Sequence, residues 1–238
     1  MTTMQMSRRR SRGYGGTLLR VVLLIALIAG LTAVGWVYAS RWAPSRDEYP
    51  MQGLSVSEAN GPIDWRTVRA RHADFAYITA SSGAKSRDPA FATNWSGARA
   101  AGLRYGALHN FSLCDRAVDQ ATLFMATVPR DNAALPPVVR LDFAGNCTRR
   151  PTRDTVLSEL NTFLNLIEAH EGKQAVVRVS RAFDERYDVG TGIYRTLWLE
   201  GNFLKPDYAS RPWVMWTASN MRRLDGIDAP VEWNVVKP

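Results

Sequence analysis

The chain has 238 residues, 46% of them hydrophobic and 22% charged, with a formal net charge of +8. That length suffices for a sizeable core in a domain of roughly 200 residues. Arg8, Arg9, Arg10, Arg12, Arg20 and Arg41 carry all but +2 of the charge. The chain after residue 42 is therefore nearly neutral, which removes the main support for a nucleic-acid-binding surface.

Residues 1–17 are rich in Arg, Ser and Gly and read as a disordered, basic cytoplasmic tail. From Val21 to Ala39 there are 19 residues without a charge. At helical rise they span about 28 Å, close to the thickness of a bilayer core. Residues 18–42 are accordingly read as a transmembrane signal-anchor. The arginines precede it, so the N-terminus is expected in the cytoplasm and the body exported, to a periplasmic or extracellular space. Trp36, Tyr38 and Trp42 mark the far interface. A cleaved signal peptide ending at Val37-Tyr38-Ala39 is the competing reading. The apolar run exceeds the ~7–15 residues usual in such peptides, which favours the anchor.

Cys114 and Cys147 are the only cysteines. In an oxidising compartment they form one bridge or remain two buried thiols, and the sequence leaves both open. His72, His109 and His170 have no ligand spacing to a cysteine, so no metal site is expected. No glycine-rich phosphate loop follows a strand, so no nucleotide cofactor is expected either.

Residues 43–50 read as a short polar linker, and residues 51–238 as the body. Gly53–Ser57 has a strand pattern, and Asp64 is a credible N-cap for a short helix opening at Trp65. Phe75–Ala80 is a second strand, Pro89–Ala101 a helix with Gly102 at its C-terminal cap, and Tyr105–Phe111 a third strand. Arg116–Val128 is a helix and Pro137–Phe143 a fourth strand. Thr152–Glu171 is a long amphipathic helix, with Val156, Leu160, Phe163, Leu164 and Ile167 at helical spacing. Ala175–Ser180, Thr196–Leu199, Trp213–Trp216 and Val231–Val235 bring the strand candidates to eight. The alternation predicts a parallel α/β fold closed as a barrel. Function in such a fold collects at the C-terminal strand ends, which here hold Ser55, Thr79 to Ser82, His109 to Phe111, Arg140 to Phe143, Glu200, Thr217 and Glu232.

The stretch from Leu135 to Cys147 is the most informative. A proline pair opens it, apolar residues follow, and Gly145-Asn146 breaks it. Arg140 and Asp142 interrupt the run two residues apart, so both side chains share one face of the strand. Buried charges are costly unless paired or used. The pair is either a satisfied ion pair or the floor of an active site.

Several segments, in order, resemble glycoside hydrolase family 25, the muramidases (lysozymes) that cut peptidoglycan. They are Gly53-Leu54-Ser55-Val56-Ser57, Ile63-Asp64-Trp65, Asp88-Pro89-Ala90-Phe91-Ala92-Thr93-Asn94-Trp95, Ala101-Gly102-Leu103 and Gly106-Ala107-Leu108-His109. Leu135-Pro136-Pro137-Val138-Val139, Gly145-Asn146-Cys147 and Gly226-Ile227-Asp228-Ala229-Pro230-Val231-Glu232-Trp233-Asn234 continue the likeness, which runs from about residue 51 to 236. The resemblance implies an irregular, TIM-like (β/α) barrel, hydrolysis of peptidoglycan glycosidic bonds, no cofactor, and peptidoglycan glycan strands as the partner.

The catalytic positions depart from that family. Its first strand carries an Asp where this chain has Ser55, and its Lys-Ala-Thr-Glu-Gly reads Thr79-Ala80-Ser81-Ser82-Gly83. The central Asp-x-Glu reads Arg140-Leu141-Asp142, the late Val-Asp-x-Asn reads Val231-Glu232-Trp233-Asn234, and Trp-Gln reads Trp216-Thr217. Glycoside hydrolysis needs an acid for the leaving oxygen and support for a cationic transition state. Asp142 and Glu232 are the candidates for those roles. Shortening Glu to Asp withdraws the carboxyl by ~1.5 Å, and a misplacement of about 1 Å costs roughly a hundredfold. Arg140 favours the ionised carboxylate, the reverse of what a general acid requires.

Ser55, Thr79, Ser82, His109, Arg140 and Trp216 are the candidate groove residues. Tyr77, Phe111, Trp198, Trp213 and Trp233 are further aromatics near strand ends, each of which also fits a core position. The expected function is a membrane-anchored muramidase-family domain that binds or acts on peptidoglycan with catalysis weak or lost. An active hydrolase using Asp142 and Glu232 is one alternative, and a non-catalytic envelope interaction scaffold is the other.

Overall fold

The computed structural model describes residues 14–143 and 147–238. Gly145 and Asn146, which the sequence reads as the break after the fourth strand, lie outside the described residues, as do residues 1–13 of the expected tail. Helix α1 (Tyr14–Arg41) starts inside that tail, so Tyr14–Thr17 are helical. Its stretch Leu18–Arg41 is long and apolar enough to cross a membrane, and its residues from Leu18 to Tyr38 are exposed. The chain divides into two compact units, the helix up to Ala39 and a body from Ser40 to Pro238.

The body begins with a segment that is not a spacer. Tyr49 is buried edge-on against Trp216, and Trp42 packs on Phe203. Gln52 donates from Nε2 to the carbonyls of Pro44 and Tyr49, and Arg46 pairs with Asp74. Residues 43–50 are thus stitched onto the barrel by aromatic packing and by the backbone's need for partners.

Among the described residues nine strands form the sheet: β1 (Met51–Val56), β2 (Phe75–Ser82), β3 (Ser86–Arg87), β4 (Arg104–Asn110), β5 (Val138–Leu141), β6 (Val176–Val179), β7 (Thr196–Glu200), β8 (Met215–Arg222) and β9 (Val231–Val236). Pairing runs β1-β9-β8-β7-β6-β5-β4-β2, and β1 pairs again with β2, which closes an eight-stranded barrel; β3 is a short hairpin return on β2. The helices of the body are α2 (Trp65–Ala70), α3 (Phe91–Ala100), α4 (Ala117–Thr127), α5 (Arg153–Glu171), α6 (Arg181–Tyr187) and α7 (Val189–Gly192). Asp64 caps α2 by accepting from the amides of Arg66 and Thr67, as its position predicts.

The expectation of a wholly parallel sheet fails at β9, which runs antiparallel to both β8 and β1. Residues 223–230 are too few for the dozen or more that a parallel crossover needs, so the chain turns back as a hairpin. The short helices α6 and α7 and the hairpin strand β3 carry too little periodicity to be read from the sequence. In α6 the buried residues are Phe183 and Tyr187, four residues apart, and the polar Asp184.

Strand parity separates two apolar layers. Phe75, Tyr77, Leu108, Val138, Val176, Trp198 and Met215 fill the barrel interior. Val139, Leu141, Val177, Val179, Leu197, Leu199 and Trp233 face outward, in the layer that includes Val156, Leu160, Phe163 and Ile167 of α5. Gly106 has no room for a side chain, because a Cβ there would lie 2.5 Å from the Tyr77 ring. The bulky residues end part-way up the barrel, and above them the inner face turns polar.

Candidate active site

On β5 the parity places Val138, Arg140 and Asp142 inward and Val139 and Leu141 outward, so the two charges do share the inner face. In register with Arg140 on the next strand is Arg178, and next to Arg178 on β7 is Trp198. Arg178 is 1% exposed. Its Nη1 and Nη2 donate to Glu232 at 2.6 and 2.8 Å, and its Nε donates to Glu200 Oε1 at 2.8 Å. The guanidinium lies over the Trp198 ring, 5.0 Å from its centroid. The paired donors match the carboxylate fork, the strong geometry for such contacts.

Arg140 sits above, with its side chain 27% exposed, and each of its nitrogens faces a different carboxylate. Nε lies 2.9 Å from Glu200 Oε1, Nη1 3.4 Å from Glu232 Oε1, and Nη2 3.5 Å from Asp142 Oδ2. These are ion contacts rather than aligned hydrogen bonds. Asp142 Oδ1 accepts from the Phe143 amide at 2.7 Å. Two guanidiniums thus hold three carboxylates at the floor.

Burial alone would raise Glu232. The charge and hydrogen bonds of Arg178, with Arg140 behind them, overcome that and hold its carboxyl down at about 2. Burial likewise works against the charge on Arg178, but Glu232 and Glu200 outweigh it and raise its pKa. Beside the ion network, a buried chain of hydrogen bonds runs across the barrel. Trp198 Nε1 donates to Thr217 Oγ1 at 2.9 Å, Thr217 donates to Asn234 Oδ1 at 3.0 Å, and Asn234 donates to Ser55 Oγ at 2.9 Å.

Two cavities open onto this floor and share Ser82, Asn110 and Arg140. One, of about 380 Å³, is lined by Ser55, Thr79, Ser81, Arg87 and Glu232 among others. The second, of about 500 Å³, is lined by Phe111, Asp142, Phe143, Cys147 and Arg150 among others. Together they make an open polar cleft. Of the residues the sequence nominates, Asp142, Glu232, Ser55, Thr79, Ser82 and Arg140 line it. Cys114 and Cys147 are joined as a disulfide with Cα atoms 5.7 Å apart, and the bridge lies on the cleft rim.

His109 and Trp216 do not line the cleft. On β4, Leu108 and Asn110 face inward, so His109 faces outward. It is fully buried, 2.9 Å from Ser81 Oγ and 3.1 Å from Gln120 Oε1, and stacked on Phe163. Burial drives its pKa down to about 4, against a smaller upward pull from Gln120, so it is a neutral core histidine. Trp216 alternates with inward-facing Met215 and Thr217, and lies outside the barrel wall against Tyr49. Tyr77 and Trp198 fill the barrel and Trp233 lies in the outer layer, while Phe111 does reach the cleft.

The sequence reading missed Arg178; it placed Asn110, Glu200 and Thr217 at functional strand ends and Asn234 in a family motif, without giving any of them a role in the site. Arg178 had the same signal as Arg140, a charge inside an apolar strand, in Val176-Val177-Arg178-Val179.

An eight-stranded β/α barrel with a polar, carboxylate-bearing cleft at the ends of its strands is a build that glycoside hydrolases share with many other enzymes. Comparison with known proteins narrows this: residues 54–227 match the model for glycosyl hydrolases family 25, and the chain belongs to that family. It is 30% identical to the uncharacterized protein YegX of Escherichia coli (strain K12) over 193 residues, 79% of this chain and 70% of that protein. It is 25% identical to lysozyme M1 of Streptomyces globisporus over 205 residues, 79% of this chain and 68% of that one. Among solved structures, a family 25 glycosyl hydrolase from Bacillus anthracis superposes with a TM-score of 0.75 at 28% identity, covering 83% of this chain and 92% of the other. A bacterial lysozyme from Streptomyces coelicolor shares the fold at a TM-score of 0.71 and 24% identity, over 78% and 91%.

Proposed function

We propose that the body is a peptidoglycan-binding member of its family that no longer hydrolyses the glycan, carried on the outer side of a membrane by α1. The observation that carries this reading is the floor of the cleft, where Arg178 and Arg140 occupy the carboxylates. A glycosidase needs one carboxyl that gives up a proton, and a second carboxylate or the substrate's own acetamido group to meet the positive charge developing on the sugar. Glu232 is held ionised at about 2 and both its oxygens are taken by Arg178, so it has no proton to give. Both oxygens of Asp142 already face donors. Arg140 places a fixed cation beside the site where the sugar would become cationic.

Binding asks less of the cleft. Asn110, Ser82, Thr79 and Ser55 supply hydroxyl and amide groups, and Phe111 and Phe143 supply apolar faces, the mixture that sugar-sized ligands use. The relatives named lysozyme favour peptidoglycan as the polymer, and the arginines before α1 favour an exported body.

The test uses the full chain in detergent with purified sacculi. The expected result is saturable retention on sacculi, with release of reducing sugar no greater than that of Asp142→Asn. Release that exceeds this variant, or no retention, defeats the proposal. Protease added outside intact cells should digest the body and spare the N-terminal segment.

A further inference from the structure

Residues 43–50 have the sequence of a spacer, yet no free chain separates the body from the end of α1. The Arg223 amide donates to the Ser40 carbonyl at 2.7 Å, and Arg222 Nη1 donates to the Trp42 carbonyl at 3.1 Å. The end of β8 therefore holds the chain from Ser40, the first residue of the body. Three positions separate Ala39, the end of the charge-free run, from Trp42. At helical rise that is about 4.5 Å, less than the roughly 5–8 Å of headgroups on each side of a bilayer core. With α1 across a membrane, Trp42 lies in the headgroup layer, and what packs on Trp42 is brought to that layer with it.

What packs on Trp42 is the turn after β7. Its backbone is fixed to β8: the Phe203 amide donates to the Ala218 carbonyl at 2.8 Å, and Asn202 Oδ1 accepts from the Asn220 amide at 3.3 Å. Phe203 has a φ of 65°, a left-handed conformation that strains a bulky residue and that these bonds hold in place. The turn sets the Phe203 ring against Trp42, with centroids 5.3 Å apart, and leaves Leu204 78% exposed. Among the described residues no large apolar side chain is more exposed than Leu204. Two aromatic rings with an aliphatic tip beside them are the mixture that bilayer interfaces favour.

Resting on the reading of α1 as a membrane span, we propose that Trp42, Phe203 and Leu204 form a lipid-docking patch, by which the body lies against the headgroup layer of the bilayer that α1 crosses. Charge does not select this occupant, since exposed Arg41 and Arg223 are matched by exposed Asp47 and Glu48. The length of chain from the span to Trp42 selects it, together with the apolar side chains fixed on that residue. The same turn braces Asn220, which lines the smaller cleft cavity, so docking keeps that rim of the cleft near the membrane.

The test uses the full chain in vesicles of phosphatidylethanolamine and phosphatidylglycerol, with and without a lipid that carries a nitroxide on its headgroup. A polarity-sensitive fluorophore is attached to Leu204→Cys and, as the control, to Ser96→Cys; the native cysteines are bridged to each other. Ser96 is exposed on α3, the helix between β2 and β4, and β4 stands four strands from β8 in either direction round the barrel. Both positions are at the surface, so both variants should melt with the unsubstituted protein. The Leu204 label should emit to the blue of the Ser96 label and lose roughly half its emission to the nitroxide lipid, while the Ser96 label loses little. Equal quenching at the two positions, strong or weak, overturns the patch. A blue-shifted Leu204 label that the nitroxide lipid leaves unquenched also overturns it, because a protein surface would then cover the residue. Flotation of the vesicles separates this inference from the one beneath it. A chain that floats with the lipid but is unquenched at Leu204 refutes docking and leaves the anchor; a chain that does not float refutes the anchor, and docking with it.

Discussion

Replacing Arg178 by Met removes the charge at the centre of the floor while keeping comparable volume. In the native protein Glu232 is held at about 2 against an ordinary 4.5, a depression that corresponds to about 3 kcal/mol of stability. Because the folded carboxyl is the more acidic, that contribution is complete above about pH 4.5 and is lost as pH falls toward 2. Without Arg178, burial becomes the leading influence on Glu232, and its carboxyl moves above the ordinary value. At neutral pH a buried charge then remains with only Arg140, 3.4 Å away, beside it, and breaking such a pair costs up to about 3–5 kcal/mol. For a body of this size that lowers the melting temperature by roughly 10 °C. At pH 4 the variant's Glu232 is protonated in the folded state, so the gap to the native protein should narrow by at least about 1 kcal/mol. Denaturant unfolding followed by circular dichroism at pH 7 and pH 4 measures both quantities. A loss below about 1 kcal/mol at pH 7, or a gap that does not change between the two pH values, would refute the assignment of Arg178 as the charge that sustains the floor.

Other parts of the body respond differently. Buried His109 is held near 4, below the ordinary 6.5, so the folded state resists protonation there; stability should decline as pH falls from about 6.5 toward 4, and His109→Gln should flatten that slope in a pH series of melting curves. Replacing both Cys114 and Cys147 by Ser frees a loop of 33 residues, which costs about 3–4 kcal/mol by chain entropy, and the variant should melt at the same temperature with and without reductant while the native protein does not. Trp233→Phe leaves Gln52 Oε1 without its 2.8 Å donor in the buried layer, for a loss of about 1–3 kcal/mol in the same unfolding assay.

The frame was readable in the sequence because it depends on periodicity and punctuation, which are local. Seven of the eight barrel strands lie where apolar runs predict them, β8 overlaps the run Trp213–Trp216 only at its first two residues and continues to Arg222, and Asp64 caps α2 as its position predicts. What was not readable depends on parity and pairing across distant strands. His109 and Trp216 stand at strand ends in sequence, yet each is one residue out of phase with the inward face, and a shift of one residue moves a side chain through the wall. The antiparallel course of β9 follows from a short connection, a property of residues 223–230 and not of the strand itself.

Arg140 and Asp142 gave the site but only part of its logic. Read alone, their spacing of two implies a self-contained pair, yet at 3.5 Å their contact is the longest in the network. The shorter bonds come from Arg178, 38 positions further along the chain, which joins Glu200 and Glu232 from two other strands. An arginine facing inward on β5 would by itself crowd a second cation against Arg178 on the neighbouring strand, and it is tolerated because three carboxylates surround the two guanidiniums. The same balance explains why single substitutions at the floor should be more damaging than their exposure suggests. Each removes one partner from charges that remain buried, whereas a concerted change of Arg178 and Glu232 to apolar residues would remove both and cost much less. A double-mutant cycle over Arg178→Met and Glu232→Met should therefore show a coupling of about 2–3 kcal/mol, with the double variant more stable than the weaker single one. Additive losses would mean that the two side chains hold the floor through separate contacts.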